Sequence, residues 1–154
     1  MPGALAGVRV IDFTEYIAGP YCTMMLADMG ADVVKIEKPE GDAWRHTAPL
    51  APYESRGFLG VNRGKRSIAL DLGRAEGRQI AQRLAAEADV VVTNYRPGVA
   101  ERLGLDYDAL SARNASVVYC ENSAFGKEGP YAGRAGFDIL SQATTGMVLY
   151  ENKL

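Results

Sequence analysis

Residues 89–94 read DVVVTN, an unbroken β-branched run closed at both ends by polar residues. Such a strand has no polar face to turn to water, so it must be buried on both sides, the setting of a central strand in a parallel α/β sheet. The chain supplies companions for it: residues 8–14, 32–37, 67–72 and 116–120 are further short, apolar, β-branched runs. Helical patterns fall between them. Pro20 suits a first helical position and Gly30 a stop, giving a helix over 21–29. Ile80, Ala81, Leu84, Ala85 and Ala88 share one face of a helix over 74–88. Short helices follow at 97–103 and 107–112, and a glycine-rich loop at 126–136 leads into a last helix over 137–147. Strands alternating with helices in this way predict one α/β domain with a parallel sheet and right-handed crossovers. Sheets of this class bind ligands beyond the carboxyl ends of their strands. Those ends fall at residues 14–19, 37–41, 94–98 and 121–126, all polar and glycine-containing.

Residues 40–66 interrupt the alternation with no sustained period, although Trp44, His46, Tyr53 and Phe58 give the stretch an aromatic content foreign to disorder. A long ordered excursion is expected there, of the kind that usually serves function. The 154 residues, 47% hydrophobic, suffice for one buried core. A net charge of −2, with both signs spread along the chain, provides no field to draw it to nucleic acid or to a membrane. Neither a signal peptide nor a membrane span of about 20 apolar residues is readable, so a cytoplasmic location is the expectation. Cys22 and Cys120 have no companions that would make a disulfide framework or a metal site, and both are expected to be ordinary buried thiols. His46 is expected to be structural or exposed rather than catalytic.

Two nucleotide motifs are nearly matched and fail. A dinucleotide turn after the first strand needs three spaced glycines, but residues 14–20, TEYIAGP, hold one and add the negative Glu15. A phosphate loop needs four residues between its glycines; Gly60 and Gly64 enclose three, Arg66 stands where a hydroxyl should hold magnesium, and a strand follows instead of a helix. Arg63, Lys65 and Arg66 still gather three cations before a strand. This cluster reads either as a solvated loop or as donors for a phosphate-rich ligand.

Several collinear segments carry a resemblance: residues 5–14 (LAGVRVIDFT), 18–20 (AGP), 26–39 (LADMGADVVKIEKP), Gly41-Asp42 with Arg45, 62–72 (NRGKRSIALDL), 94–98 (NYRPG), 102–104 (RLG), and 136–138 (GFD) with Gln142. Together they span residues 5 to about 146 and resemble the family III CoA-transferases, the CaiB/BaiF or formyl-CoA-transferase-like group, with their acyl-CoA racemase relatives. The resemblance tips the cation cluster toward phosphate. It implies a parallel, Rossmann-like open sheet with flanking helices, as the amino-terminal part of a larger fold in which two chains interlock as a homodimer. Residues 1–154 are then an N-terminal CoA-binding domain, truncated, with the second domain absent.

By matching positions, the resemblance puts coenzyme A or acyl-CoA against Ile17, Ala18, Lys38, Leu70, Leu72, Asn94, Tyr95, Arg102 and Leu103, with no metal. Lys38 and Arg102 suit phosphates, and the three leucines suit an adenine slot or, for Leu70 and Leu72, equally well the core. In the family an aspartate attacks an acyl-CoA and passes the coenzyme to a carboxylic acid. That aspartate lies in a glycine-bordered motif downstream of the Gly-Phe-Asp turn, and no such motif follows Gly146 here. Asp138 is therefore expected to be an acidic neighbour of the thioester, or alternatively a helix N-terminal carboxylate. The racemase branch has a histidine base where this chain has Phe137, which disfavours racemisation. A non-catalytic CoA-binding or assembly fragment is the alternative. Apolar surface left open by absent elements is expected to make the isolated chain poorly soluble or self-associating.

Overall fold

A computed structural model of the chain describes residues 2–52 and 54–148; Tyr53 and the tail 149–154 lie outside the described residues. Five parallel strands form one sheet, β1 (Arg9–Asp12), β2 (Asp32–Glu37), β5 (Arg66–Ala69), β6 (Val90–Thr93) and β7 (Val118–Glu121), in the spatial order β5-β2-β1-β6-β7. The expected parallel α/β sheet is present. Helix α1 (Ala18–Asp28) links β1 to β2, α3 (Ala75–Ala86) carries the chain from β5 back across to β6, and α4 (Val99–Leu103) with α5 (Tyr107–Ser111) leads to β7. Strand order therefore reverses between β1 and β6, and a crevice opens at their carboxyl ends, where ligands of such sheets bind.

Side-chain alternation divides the core into two layers. Ile11, Phe13 and Val91 pack with Ala81, Ala85, Leu105 and Leu110 on one face, whereas Val10, Val33 and Val92 pack with Ala31 and the partly buried Leu26 and Ala27 on the other. Val91 and Val92 belong to opposite layers, which is why β6 needs an apolar run with no polar phase. Helix α6 (Asp138–Thr145) closes the described chain and buries none of its residues.

The excursion is ordered, as expected, but far from irregular. It folds into a 3₁₀ turn (Ala43–His46), a two-stranded antiparallel pair of β3 (Pro49–Ala51) and β4 (Glu54–Ser55), and helix α2 (Arg56–Asn62). Gly57 and Gly60 hid α2, since glycine weakens a helical pattern. Gly57 has a packing reason, because a Cβ there would meet the Trp44 ring at 3.0 Å. Ser55 starts the helix: its Oγ accepts from the Phe58 N–H at 3.1 Å and donates to the Trp44 carbonyl. Ser55→Ala is expected to cost about 1–2 kcal/mol, read as a lower urea midpoint at unchanged m-value.

Two expectations are corrected. Cys22 and Cys120 are exposed rather than buried. Cys120 sits on β7, an edge strand, and Val118 on that strand is 60% exposed. The cation cluster also disperses: Arg63 pairs with Asp28, Arg66 with Asp32, and Lys65 turns inward to Asp12. Adjacent residues on a strand or turn point apart, so proximity in sequence did not become a phosphate site.

Candidate functional site

Beneath the crevice lies a buried polar network that fixes the loop after β1. Asp12, fully buried, accepts through Oδ1 from the Thr14 N–H at 2.8 Å and through Oδ2 from Thr23 Oγ1 at 2.6 Å and Lys65 Nζ at 2.9 Å. Lys65 Nζ also donates to the Pro20 carbonyl and to Asn62 Oδ1. Lys35, in the middle of β2, donates to the Thr14 carbonyl and lies 3.0 Å from Asp42 Oδ2. Burial pushes the Asp12 carboxyl upward, but Lys35, Lys65 and the two threonine hydroxyls outweigh it and leave its pKa below the ordinary value. Burial pulls the Lys65 ammonium below its usual value against the opposing pull of Asp12.

Glu37, at the end of β2, extends the network toward the excursion. Its Oε2 accepts from Arg45 Nε at 2.6 Å and from the Asp42 N–H at 3.0 Å, while Oε1 accepts from Ser67 Oγ at 2.6 Å. Burial raises the Glu37 carboxyl, yet these hydrogen bonds and the Arg45 charge bring its pKa down to about 2. The Arg45 guanidinium in turn lies 3.6 Å above the centre of the Phe58 ring.

Asn94 clamps the two sides of the switch point. Its Oδ1 accepts from the Glu15 N–H at 2.9 Å and its Nδ2 donates to the Glu15 carbonyl at 2.8 Å, across 79 residues of sequence. Gly19 allows α1 to start close beside this loop, since a Cβ there would meet the Thr14 side chain at 2.4 Å. Ile17, the residue before α1, provides no side-chain cap, and the first turn contains no acidic residue. The first amides of the helix therefore keep their donor capacity.

Six of the nine coenzyme candidates meet around one cavity of about 600 Å³: Lys38, Leu70, Leu72, Tyr95, Arg102 and Leu103. Leu70 is buried and Leu72 and Leu103 pack against the same core layer, so all three serve core and cavity at once. Lys38 lies 3.3 Å from Glu15, both partly exposed. Tyr95 tilts against Phe13 with ring centres 6.2 Å apart, and burial with the Glu15 charge pushes its phenol well above the ordinary range, so it stays neutral. Ile17, Ala18 and Asn94 line instead a neighbouring chamber of about 550 Å³, together with Phe137 and Asp138. Asp138 is the first residue of α6 and accepts from Gln142 Nε2 at 2.6 Å, and Phe137 meets the Tyr16 ring edge to face at 5.9 Å.

Sequence reasoning missed Arg78, which lines the larger cavity and donates to the Leu72 and Gly73 carbonyls. Its place on the polar face of α3, about one turn into that helix, was the available signal. It also missed the whole Asp12–Lys65 network. His46, exposed as expected, has Nε2 2.9 Å from the Glu40 carbonyl. Among the described residues, no group of three or more His, Cys, Asp or Glu side chains is arranged to hold a metal, and no helix is long and apolar enough to cross a membrane.

Residues 5–153 match the profile of CoA-transferase family III. The chain is 44% identical to a succinyl-CoA:mesaconate CoA-transferase of Haloarcula hispanica over 95% of its own length and 39% of that protein's. A probable fatty acyl-CoA transferase of Mycobacterium tuberculosis is 43% identical over 93% of this chain and 37% of its own. In structure, a CaiB/BaiF family protein from Brucella suis superposes with a TM-score of 0.88 at 42% identity, covering 95% of this chain and 40% of that one. The chain thus spans somewhat over a third of the length of its relatives. With nearly every residue matched and the fold shared, the chain belongs to CoA-transferase family III.

Proposed function

We propose that this chain is the coenzyme-binding portion of an enzyme that moves CoA from an acyl-CoA thioester to a carboxylic acid. The observation that carries the reading is the 600 Å³ cavity at the strand ends, where an apolar wall of leucines adjoins Lys38 and Arg102. The leucines and Tyr95 suit a purine, and the cations suit phosphates. Ile17, Ala18 and Asn94 line the neighbouring chamber, which suits the thioester end of the coenzyme.

In this reading an aspartate carboxylate attacks the thioester carbon, the C–S bond breaks and the thiolate leaves, giving a mixed anhydride. The thiolate then attacks the aspartyl carbonyl, frees the acyl group as its acid, and is passed on from that aspartyl thioester to the acceptor acid. We assign the attacking aspartate to sequence outside this chain, so that these 154 residues bind CoA without turning over. Asp138 is a supporting acidic residue that orients the thioester or the acceptor. Phe137 cannot carry a proton, which argues against the racemase branch. An interlocked homodimer and a cytoplasmic location belong to the same proposal for the whole protein. A non-catalytic CoA-binding or assembly fragment is the second reading, and it calls for the same coenzyme cavity.

Calorimetry separates these readings from an inert fragment. CoA is expected to bind saturably to the 154-residue chain, and Lys38→Ala and Arg102→Ala are each expected to weaken it about tenfold, one lost charge-assisted hydrogen bond being worth ~1.5–3 kcal/mol. No heat at millimolar CoA would overturn the binding proposal. Turnover by the chain alone would overturn the assignment of the nucleophile.

A further inference from the structure

Coenzyme A carries both a diphosphate and a ribose phosphate, and such groups are held by charge-assisted donors of fixed geometry. The two cations matched by resemblance meet this need only in part. Lys38 lies 3.3 Å from Glu15, which already answers some of its charge, and Arg102 is exposed on α4. A third cation lines the same cavity: Arg78, half-buried on α3.

Arg78 is held in place by the wall it belongs to. Its Nη1 donates to the Leu72 carbonyl at 3.1 Å and to the Gly73 carbonyl at 2.8 Å. Both carbonyls lie in the turn between β5 and α3, where Asp71, Leu72 and Gly73 themselves line the cavity. Gly77 makes this reach possible, because a Cβ there would collide with the Asp71 carbonyl and push the first turn of α3 away. One nitrogen serves both carbonyls, so Nε and Nη2, which have no partner among the described residues, remain as donors at the cavity wall. Of the four carboxylates in the lining, Glu15 faces Lys38, Glu37 is held by Arg45, and Asp71 accepts from the Gly73 N–H at 2.9 Å. Each of these three has a partner other than Arg78; the fourth, Glu40, belongs to the loop after β2.

Resting on the coenzyme reading above, we propose that Arg78 is a further phosphate contact, at the adenosine end of the coenzyme. Leu72, whose carbonyl Arg78 holds, is one of the leucines that suit the purine, so a base against that wall brings its ribose phosphates to the guanidinium. A guanidinium already oriented by two carbonyls loses little side-chain freedom when it binds, which favours it over a free surface cation.

The test compares CoA, 3′-dephospho-CoA and adenosine, which shares the base and ribose but has no phosphate, on the 154-residue chain. In the unmodified chain CoA is expected to shift the Arg78 side-chain NMR signal and adenosine to leave it in place, a measurement that needs no variant to fold. By calorimetry, Arg78→Gln should weaken CoA about tenfold, the scale of one charge-assisted hydrogen bond, and leave adenosine within about twofold. Arg78→Lys, which keeps the charge without the fork, should bind CoA more tightly than Arg78→Gln does. A loss for CoA alone assigns the contact to the 3′-phosphate, and an equal loss for its 3′-dephospho form assigns it to the diphosphate; either supports the proposal. CoA affinity unchanged in Arg78→Gln, or an Arg78 signal indifferent to CoA, overturns the contact and leaves the coenzyme reading standing. Equal losses for CoA and adenosine also overturn it, since Arg78 would then only hold the wall. No binding of CoA to the unmodified chain overturns the coenzyme reading itself.

Discussion

Lys65→Met is expected to destabilise the chain by about 3–5 kcal/mol, the loss typical when one partner of a buried ion pair is removed. The ammonium holds three elements at once, Asp12 on β1, the Pro20 carbonyl in the first turn of α1 and Asn62 at the end of α2, with bonds of 2.8–2.9 Å. Its side chain is 2% exposed and that of Asp12 is fully buried, so water cannot replace the lost donor. Methionine fills much the same volume, which limits any cavity contribution. A total stability of roughly 5–15 kcal/mol makes a loss of this size plain in a urea melt at pH 7. Asp12→Asn combined with Lys65→Met should recover a good part of it, because the stranded charge is then gone. A single-variant cost below about 1 kcal/mol would mean that the pair is solvated and the network contributes little.

Glu37→Gln should act in the same region and in a pH-dependent manner. The folded-state pKa of Glu37 is about 2 against an ordinary value of 4.5, so the unfolded chain takes up a proton first as pH falls. The stabilisation is complete above pH 4.5 and is lost as pH falls through the window down to about 2. Its size, from a shift of roughly two to two and a half units at 1.36 kcal/mol each, is about 3 kcal/mol. Glu37→Gln is expected to cost about that much at neutral pH and to flatten the acid limb of the stability curve between these two values. An acid limb unchanged in the variant would assign the acid sensitivity to other carboxylates, Asp12 first among them. Because Glu37 holds Arg45 and the Asp42 amide, loss of order in the excursion should accompany the loss of stability.

The two corrected expectations share one cause with the missed network. Cys22 and Cys120 were expected inside because free thiols usually are, but α1 turns Cys22 outward and β7 is an edge with an uncovered face. Arg63, Lys65 and Arg66 are neighbours in sequence and diverge in space. In each case the position of an element in the fold, and not the residue type, set the side chain's surroundings. Along α1 and at its C-cap, Tyr21, Met25 and Met29 are each 43–51% exposed. The larger cavity was legible in part, since Leu70, Leu72 and Tyr95 follow strand ends that the pattern located, whereas Arg78 reaches it from α3, the helix that follows β5.

What the sequence by itself determined is the succession of strands and helices and the parallel sheet they build. The apolar run of β6, the alternation of Ile11 and Phe13 with Val10, and the one-sided face of α3 each carry their own period. Local spacing suffices where burial is a property of a repeating pattern. What only the tertiary structure decided is the fate of the charges. Asp12, Lys35 and Lys65 look like ordinary solvated residues in sequence, yet the side chains of all three are buried, and Lys65 meets Asp12 from 53 residues away. A charge can leave water only when its partner and its hydrogen bonds are already in position, and no run of adjacent residues supplies a partner that the fold brings from another strand.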